Sequence, residues 1–408
     1  MAEPLLSAET TDAILERLGA HEACIAAARL FDSRHRFSSS TPPKDRASQI
    51  ASAAARALSI RWVPGGRTPA SHAVEAVIAL AGDAEGLLVA VAAALARLHG
   101  GRHEPDGLQR GHEALSVWAP VASRFHLKPL QRELEDLAFK IVDRPGYDAV
   151  ARFVAARRAD RDQAVEAAKA DLEGALAALD VEAEVTGRAK HLWSLHQKLA
   201  AQSGRQPRIY DLFGLRVIVA DEARCYEALG AIHAAYTAIP ERFKDYIANP
   251  KANGYRSLHT VVCVPAIREA WIEIQIRTRA MHELAEHGGA AHFRYKYPDH
   301  EESRAAEARF VYTRTPRGEV RRLPRGATPL DFAYAIHTEI GWGSTGAKVN
   351  GRLVPLTTRL HTGDVVEVMH SARARPTVGQ LGRVQTPRAR NRIRAALPEG
   401  SRPPRSRV

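Results

Sequence analysis

The segment Trp271-Ile-Glu-Ile-Gln-Ile-Arg277 alternates apolar and polar residues without a break. Successive side chains of a strand point to opposite faces, so Ile272, Ile274 and Ile276 share one side and Glu273, Gln275 and Arg277 the other. A helix would scatter these six residues around its circumference. The pattern therefore demands a sheet with one face in a core and the other built for chemistry or for solvent. Two further runs, Leu215-Arg-Val-Ile-Val219 and Leu258-His-Thr-Val-Val-Cys-Val264, are rich in β-branched residues and supply partner strands.

The rest of the chain changes character along its length. Residues 1 to about 145 are rich in Ala and Leu with helical periodicity, as in Ile50-Ala-Ser-Ala-Ala-Ala-Arg-Ala-Leu58, interrupted by a polar loop from Ser33 to Pro43. A second helical stretch, Ala159 to Leu179, leads into the strands. A helix from Met281 to about Tyr295, a charged linker and a small α+β unit over 310–369 follow. The expected class is an α+β multidomain protein divided at 1–145, 146–300, 301–370 and 371–408.

Composition narrows the functional classes. With 45% hydrophobic and 25% charged residues over 408 positions, the chain has the balance of a folded globular protein. No run approaches ~18 apolar residues, and no basic segment followed by an apolar core opens the chain, so no membrane partner and no secretion are expected. Three scattered cysteines, Cys24, Cys225 and Cys263, fit a reducing compartment, and the expected location is the cytoplasm. The net charge of +12 resides mostly in the tail, where ten arginines from Ser371 onward face one acid, Glu399. Such a tail suits RNA contact or a solvated terminus equally.

Two motif matches mislead. Gly341-Trp-Gly-Ser-Thr-Gly346 fits GxGxxG but leads into the strand-like Ala347-Lys-Val-Asn, so it does not open a dinucleotide-binding helix. In His282-Glu-Leu-Ala-Glu-His287 the histidines are five apart, roughly 140° around a helix, which rules out a zincin site. No Gly-Lys dipeptide occurs, so no Walker A loop exists and any nucleotide must be held by side chains.

Those side chains crowd into one window: Gly187-Arg-Ala-Lys-His-Leu-Trp-Ser194, Tyr210-Asp-Leu-Phe-Gly-Leu-Arg216, Arg242-Phe-Lys-Asp-Tyr246, Lys251-Ala-Asn-Gly-Tyr-Arg-Ser-Leu-His-Thr260 and Glu273-Ile-Gln-Ile-Arg-Thr278. Phosphoryl chemistry uses cations on oxygens, carboxylates on Mg²⁺ and an aromatic surface for a base. All three are present, and Asp211 and Glu273 could reach one metal if their strands adjoin. Residue types alone leave a surface carboxylate pair as the competing reading.

These segments resemble the synthetase domain of the RelA/SpoT homologue family, which transfers pyrophosphate from ATP to the 3′-hydroxyl of GDP or GTP to make (p)ppGpp. Phe332-Ala-Tyr-Ala-Ile-His-Thr-Glu-Ile-Gly341 with Val349-Asn-Gly-Arg-Leu-Val-Pro-Leu356 is similar to the family's TGS domain. The resemblance implies an all-helical HD-like domain, a nucleotidyltransferase-like mixed-sheet synthetase domain and a small β-grasp-like TGS domain. It implies ATP contacts by Arg188, Lys190, Ser194, Lys198, Arg216 and Arg242. Guanosine-nucleotide contacts fall to Lys244, Lys251, Asn253, Tyr255, His259 and Gln275, with Tyr255 stacked on the base. Asp211 and Glu273 take the catalytic and metal-binding positions for Mg²⁺, with Mn²⁺ as a substitute, and Glu273 is also the candidate base. His337 stands where the family contacts the tRNA acceptor end, so the implied partners are ATP, GDP or GTP, and tRNA or the ribosome through the TGS unit and the basic tail.

Two departures stand out. The family's hydrolase site uses an adjacent His-Asp pair, yet none of the 18 histidines precedes an Asp; His72 alone fits a ligand position, and residues 1–145 read as a degenerate HD-like domain. The chain also stops soon after Arg388-Ala-Arg-Asn-Arg-Ile-Arg394, whereas long family members continue. The expected activity is that of a GTP/GDP pyrophosphokinase without HD-type hydrolysis. The rivals are a non-catalytic nucleotide- or tRNA-binding regulator and an enzyme with an altered acceptor.

Overall fold

The computed structural model describes residues 9–30, 45–66, 68–99, 106–156, 158–201, 213–251, 254–265, 270–287, 309–371 and 374–397. The N-terminal region is helical: α1 (Thr11–Arg17), α2 (Glu22–Arg29), α3 (Arg46–Leu58), α4 (Ala70–Ala81) and α5 (Ala84–Ala96). Asp45 and Asp83 cap α3 and α5 by accepting from the backbone N–H groups of Ser48 and Gly86. Helix α5 buries every residue from Gly86 to Ala96. Its small side chains permit close approach, and a Cβ at Gly86 would sit 2.4 Å from the Ala81 carbonyl oxygen.

Next come α6 (Gly107–Glu113), a π-helical turn (Ala114–Trp118), α7 (Ala119–Arg124), α8 (Lys128–Val142), α9 (Arg144–Ala156) and α10 (Arg158–Ala177). A five-stranded sheet follows, built from β1 (Glu184–Ala189), β2 (Phe213–Val219), β3 (Lys244–Asp245), β4 (Leu258–Val264) and β5 (Ala270–Thr278) in the order β1-β2-β5-β4-β3. Only β2 and β5 run parallel; the other neighbours are antiparallel. Between strands lie α11 (Leu192–Ala201) and α12 (Glu222–Ala235), and α13 (Arg279–His287) follows β5.

One face of this sheet is dry. Val185, Leu215, Val217, Leu258, Val262, Ile272, Ile274 and Ile276 pack with Ala168, Leu172 and Leu176 of α10 and with Cys225, Ala228 and Ile232 of α12. Each large side chain buried this way contributes about 1.5–3 kcal/mol before entropy. The mixed sheet and its helical cover leave the alternate residues, including Glu273 and Gln275, on the opposite face.

The C-terminal part contains a hairpin of β6 (Phe310–Arg314) and β7 (Val320–Pro324), then α14 (Pro329–Ile336), α15 (Thr338–Trp342) and a small sheet of β8 (Ser344–Val349), β9 (Arg352–Val354) and β10 (Val366–His370) in the order β10-β8-β9. Asn350 and Gly351 join β8 to β9, both with positive φ, as a two-residue hairpin turn requires. The GxGxxG match runs from the end of α15 into β8, and a Cβ at Gly341 would strike the Tyr334 ring.

Beyond the small sheet, α16 (Pro387–Ala396) lies inside the stretch read from the sequence as a basic tail. This stretch is partly folded: Ala389, Ile393 and Leu397 are buried against Leu330, Tyr334 and Val384. The carboxylate of buried Asp331 fixes the approach by accepting from the backbone N–H groups of Gln385 and Thr386. Arg388, Arg390 and Arg392 of α16 are exposed, and Arg394 is half-buried.

The described chain forms two compact units. One holds the five-stranded sheet with α6 and α8–α13; the other combines α1–α5 with the C-terminal hairpin, small sheet and α14–α16. Within the second unit, Glu75 of α4 accepts a 2.9 Å hydrogen bond from the Tyr312 hydroxyl and pairs with Arg322. No helix among the described residues is long and apolar enough to cross a membrane.

Candidate active site

Strand register places the polar residues of the sheet in rows. Thr186 faces Arg216, Arg216 faces Gln275, Gln275 faces His259 and His259 faces Lys244, so one row crosses all five strands. Glu273 lies beside this row on β5. A Cβ at Gly214 of β2 would be only 2.9 Å from the Glu273 carbonyl oxygen, so glycine at this position lets the two strands meet.

A hydrogen-bonded chain runs along this face. Nδ1 of His259 is 3.1 Å from Oε1 of Glu273, and the Tyr255 hydroxyl is 2.9 Å from Nε2 of the same ring. With Nδ1–H donating to the carboxylate, Nε2 is left to accept from the tyrosine. The hydrogen bond from His259 lowers the Glu273 pKa to about 2, against burial, and the charges of Lys190 and Lys198 add to it. Lys190 and Lys198 therefore lie within electrostatic reach of the ionised Glu273 carboxylate.

Helix α11 carries Ser194 and Lys198, and α8 holds its start. Asp136 accepts from the backbone N–H groups of Leu192 and Trp193, and Glu135 pairs with His191 at 2.6 Å. Burial raises the pKa of Asp136. Phe139 of α8 packs on Trp193 and His196, with ring centroids 5.2 and 4.4 Å away.

At the other end of the row, Lys251 places its ammonium 4.5 Å from the Tyr246 ring centroid and 5.2 Å from that of Tyr255. The ring of Tyr255 meets His259 and Tyr246 edge-on. In the Arg242-Phe-Lys-Asp245 motif, Asp245 holds the local backbone in place, accepting from the Tyr226 hydroxyl and from the backbone N–H groups of Ile247 and Ala248. Arg242 and Lys244 are exposed.

The structure thus brings together Glu273, His259, Tyr255, Lys251, Lys190 and Lys198, with Gln275 buried in the central row. Asp211, Asn253 and the side chain of Arg188 lie outside the described residues. Arg216 shares the face but is engaged by a residue that the sequence motifs do not single out. Its Nη2 donates to Oε1 of Glu286 on α13 at 2.8 Å. Glu286 also meets Arg277 and Arg132, each at 3.2 Å. Burial works to raise the Glu286 pKa, and the charges of Arg132, Arg216 and Arg277 outweigh it, leaving about 2. Far from this site in the sequence, His337 caps α15 with its ring nitrogen toward the Glu339 backbone, and its side chain is partly open to solvent.

Comparison with known proteins names the architecture. The family model described as a region found in RelA / SpoT proteins matches residues 187–300, and the TGS domain model matches 310–370. A GTP pyrophosphokinase of Streptomyces coelicolor is 40% identical over 369 residues, covering 78% of this chain and 43% of the relative. The chain belongs to the RelA/SpoT family. Another family member, the bifunctional (p)ppGpp synthase/hydrolase RelA of Mycobacterium tuberculosis, is 37% identical over 359 residues, covering 78% of this chain and 48% of its own length. The chain spans less than half the length of these curated relatives. Small alarmone synthetase 1 of Bacillus subtilis, solved with its product pppGpp, is 30% identical over 34% of this chain and 77% of its own, with a TM-score of 0.27. The expected family and fold class, helical N-terminal region, mixed-sheet domain and TGS region, are those observed.

Proposed function

We propose that this chain is a GTP/GDP pyrophosphokinase that transfers the β,γ-pyrophosphoryl group of ATP to the 3′-hydroxyl of GDP or GTP, releasing AMP. The observation that carries this reading is the Tyr255–His259–Glu273 chain with the charges of Lys190 and Lys198 acting on its carboxylate. It joins an aromatic platform, a fixed carboxylate and phosphate-neutralising cations on one sheet face. A module that only binds nucleotide has no use for an ionised acid set among phosphate-binding lysines.

In this reading Lys190 and Lys198, with Ser194, Arg188, Arg216 and Arg242, bind the triphosphate of ATP. Tyr255 stacks on guanine, while Lys251, Lys244, Asn253 and Gln275 surround the acceptor nucleotide. Glu273 supplies a hard, ionised oxygen donor on β5, next to β2 in the sheet; this fits Mg²⁺, or Mn²⁺, held jointly with Asp211. When bound, the metal supplies charge neutralisation on phosphate oxygens. A carboxylate with a pKa of about 2 is a weak proton acceptor at neutral pH, so the main work of Glu273 is to hold charge and orient the 3′-hydroxyl. Incubating the purified chain with labelled ATP, GDP and Mg²⁺ and separating the products tests the reading; AMP with no guanosine product would refute it.

We also propose that the chain lacks HD-type hydrolysis of (p)ppGpp. On α4, burial and the charge of Arg322 lower the pKa of His72, and Glu75, one turn on, is engaged by Tyr312 and Arg322. Glu75 thereby holds the TGS hairpin against α4. His337 and the outer arginines of α16 are the surfaces we assign to tRNA or ribosome contact, and the cytoplasm is the compartment the reading requires.

A further inference from the structure

Glu286 is the least expected feature of the polar face. Arg216 and Arg277 are diagonal neighbours on adjacent strands, since Arg216 faces Gln275 and Ile218 faces Arg277. Both guanidiniums are largely withdrawn from water, with side chains 11% and 2% exposed. Two buried like charges at such a separation repel and would splay apart without a counter-charge. Oε1 of Glu286 supplies it, accepting from Nη2 of Arg216 at 2.8 Å and Nη2 of Arg277 at 3.2 Å. Arg132 of α8 approaches Oε2 at 3.2 Å.

Helix α13 holds Arg277 a second time. His282, one turn before Glu286, accepts from the same Nη2 at 2.9 Å. Arg277 is therefore an anchor fixed at its tip, and the carboxylate it locates becomes the fixed point for Arg216.

We propose that Glu286 is a positioning residue for ATP, which it serves by fixing the guanidinium of Arg216 on the sheet face. This rests on the synthetase reading only in taking Arg216 as an ATP contact. A structural role alone would lower stability and affect both nucleotides alike. A positioning role acts on ATP and passes through Arg216.

The test uses the full chain with Glu286→Gln, Glu286→Asp, Arg216→Ala and the double variant Glu286→Gln/Arg216→Ala, each checked by thermal melting. Glu286→Gln should raise KM for ATP roughly tenfold, the scale of coupling between contacting charged groups. KM for GDP and kcat should stay within about twofold of wild type. Glu286→Asp should recover part of the loss, and in the Arg216→Ala background Glu286→Gln should add nothing to KM for ATP. Equal shifts for both nucleotides, or additive effects in the double variant, would overturn the proposal. If Glu286→Gln does not fold, Glu286→Asp decides: a smaller ATP-specific shift supports the role and an unchanged KM overturns it. A wild-type chain that binds ATP in calorimetry yet makes no product refutes the synthetase reading alone, and the ATP affinities of the same variants still decide this inference.

Discussion

His259 and Glu273 meet across neighbouring strands, Nδ1 to Oε1 at 3.1 Å, one diagonal step apart in the register that pairs His259 with Gln275 and Val261 with Glu273. The contact ties β4, which follows the Tyr255 loop, to the acid on β5. Tyr255 and the charged centre are thereby parts of one hydrogen-bonded chain.

That chain separates two functions of Tyr255. Tyr255→Phe keeps the ring and loses the hydroxyl that meets Nε2 of His259, whereas Tyr255→Ala loses both. Stacking of a base on an aromatic is worth about 1–3 kcal/mol. KM for GDP should rise roughly tenfold or more in Tyr255→Ala and little in Tyr255→Phe, with KM for ATP unchanged in both. A rise for ATP instead of GDP in steady-state kinetics would show that the two pockets are reversed.

Gly214 offers a test that touches no charged group. A Cβ there would lie 2.9 Å from the backbone oxygen of Glu273, closer than real contacts allow, and the obstacle is backbone. Gly214→Ala should push β2 and β5 apart and lower kcat by roughly tenfold, since displacements near 1 Å at a reacting centre cost at least that much. Full activity with an unchanged melting temperature would show that the strand spacing does not matter to the site.

The alternation over 271–277 shows why much of this architecture is legible in the sequence: a period of two admits one strand orientation, and the core face of Ile272, Ile274 and Ile276 is as expected. The site row is less legible, because which polar residues share it depends on register. Glu286 is hidden for a further reason: its partners Arg132 and Arg216 lie 154 and 70 positions away, and its own neighbourhood matches only the misleading zincin pattern. Helix α16 does carry a signal, Ala389, Ile393 and Leu397 four apart, but the surrounding arginines point toward a solvated tail.

Acid should expose the two carboxylates held ionised. Glu273 and Glu286 both fall from an ordinary 4.5 to about 2 in the folded chain. A depressed acid stabilises the fold fully above its unfolded value and loses that contribution as pH falls through the folded one. Stability should therefore decline as pH drops from about 4.5 toward 2, and Glu286→Gln should flatten this part of the profile. Chemical denaturation across that range checks it; an identical slope in the variant would contradict the Glu286 contribution.

The N-terminal region should not release pyrophosphate from (p)ppGpp. His72 lies on α4 beside Glu75, which the TGS hairpin engages, and no histidine in the chain is followed by an aspartate. Adding (p)ppGpp and Mn²⁺ to the purified chain should give no turnover. Turnover abolished by His72→Ala would reveal a hydrolase centre at that position.

The central claim is transfer of an intact pyrophosphoryl group, and the stoichiometry of transfer tests it most directly. ATP labelled in the γ-phosphate, GDP and Mg²⁺ are mixed with wild-type chain or with Glu273→Gln, and AMP and guanosine products are measured in the same sample. The account predicts one AMP for each guanosine product carrying the label on its 3′ side, and loss of both in Glu273→Gln with the fold retained. Label appearing as inorganic phosphate with ADP, or undiminished transfer by Glu273→Gln, would contradict it.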